Sequence, residues 1–223
     1  MSVSFVASLT GGIFGEAASP QTSGAFSPTN AGDYIIAAGV DGTSGTASIV
    51  ITGTGTYSQV NPPGNWNDTS GDTVTLYVNQ SSTTASQTVT VTSGSSGFVE
   101  GIAFEYSGAA SSGSGSAKNN AAPGTGVGAI VGNSVTVPAG GMVVCYCYDA
   151  NGNNSTISAA GTGNTRYNAS PGFCWADFPG TGGSITPTLT TNASGGDEYV
   201  VIQVVLNPAG GMASYSLTSS MEF

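Results

Sequence analysis

The sequence of 223 residues contains no histidine, and only Lys118 and Arg166 carry a positive side chain. Without histidine there is no Ser-His-Asp triad, no Cys-His nucleophile pair and no ordinary zinc site. The net charge is -10, so the chain has almost nothing with which to neutralise nucleic-acid phosphates or an anionic membrane surface. We therefore expect neither nucleic acid nor membrane as a partner.

Charged residues of both signs are scarce, and long apolar runs are absent. Charged residues make up 6% of the chain, against about 25% in ordinary globular proteins, so Ser, Thr, Asn and Gly must form the surface. No run reaches the roughly 18 apolar residues of a membrane-spanning helix. The hydrophobic fraction of 39% is nevertheless high enough for a packed core.

No segment has a sustained helical period, whereas alternation with a period of two is common. The segments "TASIVIT", "DTVTLYVN" and "SQTVTVTS" alternate apolar residues with Thr, which is typical of half-buried antiparallel strands with Thr on the solvent face. Alternation from Val3 to Leu9 likewise predicts a first strand rather than a signal peptide. Three runs are apolar on both faces and predict central strands: "YIIAAGV" (34–40), "MVVCYCY" (142–148) and "YVVIQVVL" (199–206).

About ten to thirteen strands without helices predict an all-β fold, a two-sheet antiparallel β-sandwich of jelly-roll type. We assign residues 1–208 to this domain and residues 209–223 to a C-terminal arm or extra strand. The Ser- and Gly-rich segment 108–128 is predicted to be a long loop. Short motifs such as "AGD" (31–33) and "AGG" (139–141) precede strands, and we interpret them as turns rather than as a solenoid repeat.

Cys145 and Cys147 raise the first question of chemistry. Residues i and i+2 of a strand lie about 6.5–7 Å apart, which is too far for an easy disulfide. Free Cys is among the most buried residue types, so the spacing favours small core residues of a central strand. The alternatives are a disulfide from Cys174 to one of the two, or a metal site. Three cysteines fit a chain that folds in a reducing cytoplasm, and we expect no cofactor and no metal.

Glu100 and Glu105 are the nearest pair of carboxylates that a glycosidase could use. An unbroken strand would direct them to opposite faces and would place Glu100 among apolar side chains. A bulge at Gly101 would instead turn Glu100 outward. Neither arrangement suits catalysis, and we expect the protein not to be an enzyme.

Trp66 lies in a loop of Pro, Gly and Asn, "NPPGNWND". An exposed Trp at such a place could stack on a sugar ring, which makes it a candidate glycan contact. The alternative is that Trp66 caps the end of the core.

The order of several short motifs suggests a relationship. The motif "AGD" precedes an early strand, "EYSG" (105–108) ends a middle strand, "PAGG" (138–141) precedes a later one, and the final strand ends near Pro208. Over residues 2–208 this pattern resembles a loose group of Ser/Thr/Gly-rich β-sandwich proteins of bacteriophages and bacteria, many of them structural proteins of virions or cell surfaces. The resemblance implies a sandwich and a structural role, and it brings no catalytic residues.

The expected function is therefore that of a non-enzymatic structural protein of a phage particle, as a capsid decoration or cement protein or as part of a fibre. We expect it to be made in the host cytoplasm and to reside on the virion surface. Its partners would be other capsid or tail proteins and itself, as a homo-oligomer and in particular a trimer. The alternative is a carbohydrate-binding or adhesin module; an ice-binding protein and a carboxylate glycan hydrolase are weaker candidates.

The C-terminal arm is the candidate contact with a neighbouring subunit. Four apolar residues of the arm would allow it to add a strand to a neighbour: Tyr215, Leu217, Met221 and Phe223. The alternative is an edge strand of its own domain.

Overall fold

The computed structural model describes residues 1–42, 48–60, 66–67, 72–94, 98–120, 128–149, 156–169, 172–192 and 198–210. This part of the chain contains strands and no helix. Within these ranges the N-terminal half contains ten strands: β1 (Ser4–Ser8), β2 (Phe14–Ala18), β3 (Gln21–Thr22), β4 (Tyr34–Asp41), β5 (Ile49–Gly53), β6 (Ser58–Gln59), β7 (Trp66–Asn67), β8 (Thr73–Gln80), β9 (Val89–Ser93) and β10 (Phe98–Ser107).

The C-terminal half contributes eleven strands to the described residues. They are β11 (Ala109–Ser112), β12 (Ser116–Asn120), β13 (Gly128–Val131), β14 (Val135–Val137), β15 (Met142–Asp149), β16 (Ile157–Ala159), β17 (Asn164–Ala169), β18 (Phe173–Pro179), β19 (Gly183–Ile185), β20 (Thr188–Thr191) and β21 (Tyr199–Pro208). No helix that could cross a membrane occurs in the described ranges.

Two large antiparallel sheets form the centre of the molecule. Sheet I has the order β1-β10-β4-β8-β6, with β2 also paired to β10 and β7 to β8. Sheet II has the order β11-β21-β15-β18-β17, with β12 also paired to β21. The two sheets enclose the main core, in which Phe104 of sheet I stacks on Trp175 of sheet II with 4.3 Å between ring centroids. Burial of large aromatic rings at this contact joins the two halves of the chain.

Three smaller sheets cover the outer faces of the large ones. Cover sheet I, with the order β3-β9-β5, packs on sheet I through residues such as Ile51 and Val91. Cover sheet II, with the order β13-β20-β16, and the β14–β19 pair pack on sheet II through residues such as Leu189 and Val137. The molecule therefore has four layers, and β4, β15 and β21 are buried on both faces as their sequences predict.

The two halves repeat one strand order. In each half one long strand, β10 or β21, pairs on one side with two short strands in succession: β1 and β2 in the first half, β11 and β12 in the second. On its other side it pairs with the central strand of the sheet, β4 or β15, and a three-stranded cover sheet packs on the outer face of each large sheet. The turn before the central strand is also repeated: Gly32 has φ 96° and Gly140 has φ 77°. Backbone bonds join Gly32 N to Ser81 O at 2.6 Å and Gly140 N to Gly180 O at 2.9 Å. The "AGD" and "AGG" motifs therefore occupy equivalent turns of a twofold repeat, which the sequence pattern does not reveal.

The prediction of an all-β antiparallel sandwich is confirmed. The jelly-roll type is not confirmed, and the three smaller sheets outside the two large ones were not anticipated. The predicted solvent face of β8 is wrong, because cover sheet I buries Thr75 and Tyr77. The predicted loop at 108–128 is also wrong in part, because β11 and β12 pair along the apolar strand β21.

Candidate functional site

Glu100 and Glu105 lie on opposite faces of β10, as an unbroken strand requires. The pairing of β10 with β4 is continuous from Val99 to Tyr106, so the suggested bulge at Gly101 is wrong. The register shift lies instead in β2, opposite Val99 and Glu100. Glu100 therefore shares the inner face with Ile102, and the pair cannot flank one sugar.

Burial changes the acidity of both carboxyl groups. For Glu100, burial first and the charges of Glu16 and Asp72 second raise the pKa to about 7. For Glu105, burial and the neighbouring Asp33 raise the pKa, although hydrogen bonds from the Thr29 N–H and Oγ1 to its carboxylate oppose the change. Each group is held within the packing of a sheet, and neither opens into a shared cleft.

The three cysteines are free thiols in the core between sheet II and cover sheet II. Cys147 lies directly opposite Cys174 in the β15–β18 pair. Burial raises the pKa of Cys174 to about 12 and those of Cys145 and Cys147 well above the ordinary value. Buried neutral thiols are poor nucleophiles and poor metal ligands. The interpretation of the cysteines as core residues is confirmed, and no group of potential metal ligands occurs within the described residues.

A partly buried ion pair, which no pattern in the sequence indicated, lies at the edge of the main core: the Arg166 side chain is 27% exposed and that of Asp177 is fully buried. Arg166 Nε donates to Asp177 Oδ2 at 2.5 Å, and the guanidinium carbon lies 4.5 Å from the centroid of the Phe5 ring. Asp177 also accepts a bond from Asn164 Nδ2 at 2.9 Å. Its carboxylate is fully enclosed, and its neighbours satisfy it. The arrangement is therefore a structural network, because a buried charge needs such partners.

A polar pocket at the end of β8 is the candidate functional site. Its volume is about 250 Å³, just below the roughly 300–1,000 Å³ range of small-molecule sites. Every lining residue is neutral, and most carry a hydroxyl or an amide: Thr54, Gly55, Thr56, Asn79, Gln80, Ser81, Ser82, Thr83 and Gln87.

Three elements bring these side chains together. The segment after β5 supplies Thr54 to Thr56, the end of β8 and the following turn supply Asn79 to Thr83, and Gln87 precedes β9. Gln87 is fixed by its backbone, since its N–H donates to Phe26 O at 2.7 Å and its carbonyl accepts from Phe26 N at 2.9 Å. The floor of the pocket is thus attached to the sheet framework, although loops form its rim.

Hydrogen bonds also fix the side chains on the pocket floor. Ser81 Oγ donates to Thr83 O at 2.7 Å and accepts from Gln87 Nε2 at 2.8 Å. Asn79 Nδ2 donates to Thr54 O at 3.3 Å. Asn79, Ser81 and Gln87 are all buried. Such a site can exchange hydrogen bonds with a small neutral ligand, and its lining contains no carboxylate, thiol or basic side chain.

The predicted site residues are only partly covered by the structure. The backbone of Trp66 pairs with Val74 at the start of β8, whereas the pocket lies at the end of that strand. Val74 and Asn79 are five positions apart along the strand, or about 16 Å, so Trp66 and the pocket are distinct candidates. Residues 211–223, which include all four predicted contact residues of the arm, lie outside the described residues.

Comparisons with known proteins give little further information. No protein-family model matches the sequence, and no curated protein matches it. A solved structure of a conserved protein of unknown function from Pseudomonas aeruginosa PAO1 is similar at 9% identity, covering 83% of this chain and 79% of that chain, with a TM-score of 0.29. At that TM-score the likeness supports no function.

Proposed function

We propose that the protein is a non-enzymatic structural component of a phage particle, as a capsid decoration or cement protein or part of a fibre. The observation that carries the proposal is the placement of the reactive groups. The three thiols, Glu100 and Glu105 all lie in packed interiors, while Ser, Thr, Asn and Gly dominate the rest of the chain. Weakly charged surfaces depend little on salt, so contacts made by such a protein persist outside the cell.

The proposed partners are other capsid or tail proteins and further copies of this chain. A trimer suits a three-fold site of a capsid. The protein would be made in the host cytoplasm, where its free thiols stay reduced, and would end on the virion surface. The arm, through Tyr215, Leu217, Met221 and Phe223, would add a strand to a neighbouring subunit.

An add-back experiment tests this proposal. Particles made without the protein are mixed with purified full-length chain or with a chain that ends at Gly210, and bound protein is measured after sedimentation. The full-length chain should bind in a fixed ratio to the major particle protein, and the truncated chain should not. Equal binding of both chains would contradict the role of the arm, and no binding of either would contradict the structural role.

The pocket favours carbohydrate binding as a second candidate function. A neutral concave site rich in hydroxyl and amide groups suits a sugar better than an ion or an apolar ligand. The full-length protein should then retain a subset of glycans on an array. Retention of none would contradict this second function and would leave the structural role untouched.

A further inference from the structure

Glu100 is a buried carboxyl group at a position where the other half of the molecule has valine. Glu100 and its counterpart Val200 each pair with the seventh residue of the central strand, Val40 in β4 and Tyr148 in β15. Glu100 is 7% exposed and Val200 is 0% exposed. Because the second half folds with valine at this place, folding does not require the carboxyl group of Glu100.

Within the described residues, the titratable groups around Glu100 are acids and phenols. The charges of Glu16 in β2 and of Asp72, which precedes β8, add to the effect of burial on the pKa of Glu100. Tyr146 of β15 lies within electrostatic range on sheet II, and Tyr148 Oη donates to Asp72 Oδ2 at 3.1 Å. Glu100 Oε2 has no hydrogen-bond partner in this part of the chain. Ionisation therefore leaves an unpaired charge in the packed space between the two large sheets.

The first half has no positively charged side chain that could neutralise Glu100. Residues 1–108 contain no Lys, Arg or His. In the second half, by contrast, Arg166 Nε lies 2.5 Å from the carboxylate of the buried Asp177 and neutralises it. Binding of a proton is therefore the means by which the first half keeps Glu100 uncharged.

The edge strand β2 lies directly against Glu100 and is the part best placed to move. Gly15 pairs with Glu100, and a Cβ added at Gly15 would lie 3.2 Å from Glu100 Cα. The register shifts here, so Glu16 is an extra residue in β2, and its φ of 62° is a strained conformation for a residue with a side chain. Four of the five residues of β2 are exposed, so little packing holds this strand in place.

The counterpart strand β12 has none of these features. It pairs with β21 over five residues without a register shift, and Asn119 lies opposite Val200. No residue of β12 has a positive φ. β12 is therefore a matched internal control for β2.

We propose that β2 is a proton-controlled strap, which stays paired with β10 while Glu100 holds its proton and is released when Glu100 ionises. Release lets water reach the charged group and removes the strain at Glu16. The pKa of Glu100 is about 7 in the closed form, against an ordinary value of 4.5. The strap is thus held most firmly below pH 4.5, and this stabilisation is lost as the pH rises to about 7.

The opening is confined to one end of the sandwich. The stack of Phe104 on Trp175 lies further along β10 and keeps the two large sheets together when β2 is released. Neither the structural role nor glycan binding is needed for this behaviour.

Amide hydrogen exchange of the full-length protein, measured by mass spectrometry at about pH 5.5 and about pH 8.5, tests this proposal. Exchange times are scaled for the change in intrinsic rate, and β12 is the control within the same molecule. The protection of β2 relative to β12 should fall roughly 30-fold between the two conditions, as expected for a group whose pKa is about 7 when closed and 4.5 when open. An equal change in β2 and β12, or no change in either, would overturn the proposal.

Two variants of similar size identify the group responsible. E100Q is uncharged under both conditions, so the protection of its β2 should no longer depend on pH. E16Q removes an exposed carboxylate that contributes less than burial does, so it should keep most of the fall. A full fall in E100Q would overturn the proposal, as would loss of the fall in E16Q. E100V, which carries the counterpart residue, repeats the test if E100Q does not fold.

Discussion

The N-terminal and C-terminal halves share their strand order and turns but differ in the side chains that fill them. Gly39 pairs with Thr75 in the first half, and Cys147 pairs with Cys174 at the equivalent place in the second. Both pairs lie between a large sheet and its cover sheet. The strand pairing and the alternation of inward and outward residues therefore determine this architecture. Small residues of quite different chemistry fit between the large sheet and its cover sheet.

The difference extends to the polar content of the two halves. Glu100 pairs with Val40 in the first half, and its counterpart Val200 pairs with Tyr148 in the second. Asn79 is likewise matched by Phe178. An apolar residue at one position of the repeat shows that the fold does not require a polar side chain there. A buried polar residue at the equivalent position of the other half therefore calls for a reason other than folding, and the pocket around Asn79 is the clearest example.

The largest effect is expected where the halves meet. Trp175 is fully buried, stacks on Phe104, and donates from Nε1 to Tyr106 Oη at 2.9 Å. W175A should reduce the free energy of unfolding by about 5 kcal/mol, near the upper end for loss of a large core side chain. Urea unfolding measures this effect. F98A is the control, since Phe98 is 39% exposed, and a similar loss in both variants would contradict the account of the shared core.

Exchange of counterpart residues should have unequal effects in the two halves. F178N places an amide in an apolar core and should cost about 4 kcal/mol. N79L, at the equivalent position of the polar pocket, loses the bond from Asn79 Nδ2 to Thr54 O and should cost only about 1–1.5 kcal/mol. Thermal unfolding of the two variants measures the difference. Equal losses would show that the pocket is needed for stability, against the comparison of the halves.

The raised pKa of Glu100 predicts a pH dependence that the C-terminal half, with Val200, lacks. The folded-state pKa is about 7 and the ordinary value is 4.5, so the folded protein holds the proton more tightly than the unfolded chain. Its stabilising effect is complete below pH 4.5 and is lost as the pH rises to about 7. E100Q should match the unchanged protein at low pH and exceed its stability by about 3 kcal/mol above neutrality.

Urea unfolding at a series of pH values measures this difference. E16Q removes an exposed carboxylate that contributes less to the shift, so its difference from the unchanged protein should be much smaller. Parallel curves for E100Q and the unchanged protein would contradict the assignment.

A small effect is also expected from a change of chain order. Met1 N lies 3.2 Å from Ala209 O, and the two halves join at Gly108. A permuted chain that begins at Ala109, ends at Gly108, and links Gly210 to Met1 through a short Gly-Ser segment keeps every strand pair and should lose only about 1–2 kcal/mol, because the new ends disturb the bond from Ala209 N to Gly108 O. Circular dichroism and urea unfolding measure this. Failure of the permuted chain to fold would contradict the equivalence of the two halves.

Much of the framework could be predicted from sequence, because alternation and doubly apolar runs directly reflect burial. This was sufficient for β4, β5, β9, β15 and β21. The burial of Thr75 could not be predicted, since Thr in an alternating strand suits both a solvent face and a covered one. The repeat was hidden because counterparts such as Asn79 and Phe178 have nothing in common as side chains.

The pocket was also beyond sequence reasoning. Its residues come from three separate segments, and none of them forms a recognisable motif. One sequence signal does point to the repeat: the "AGD" and "AGG" turns at Gly32 and Gly140. Aligning the sequence on these two turns brings the strands of the two halves into correspondence.

Cryo-electron microscopy of the particle purified with this protein tests the central claim of a structural role most directly. The account predicts density for the four-layered fold at regular lattice positions, with residues 211–223 ordered against a neighbouring subunit. Recovery of the protein only as a free chain, with no density on the particle, would contradict it.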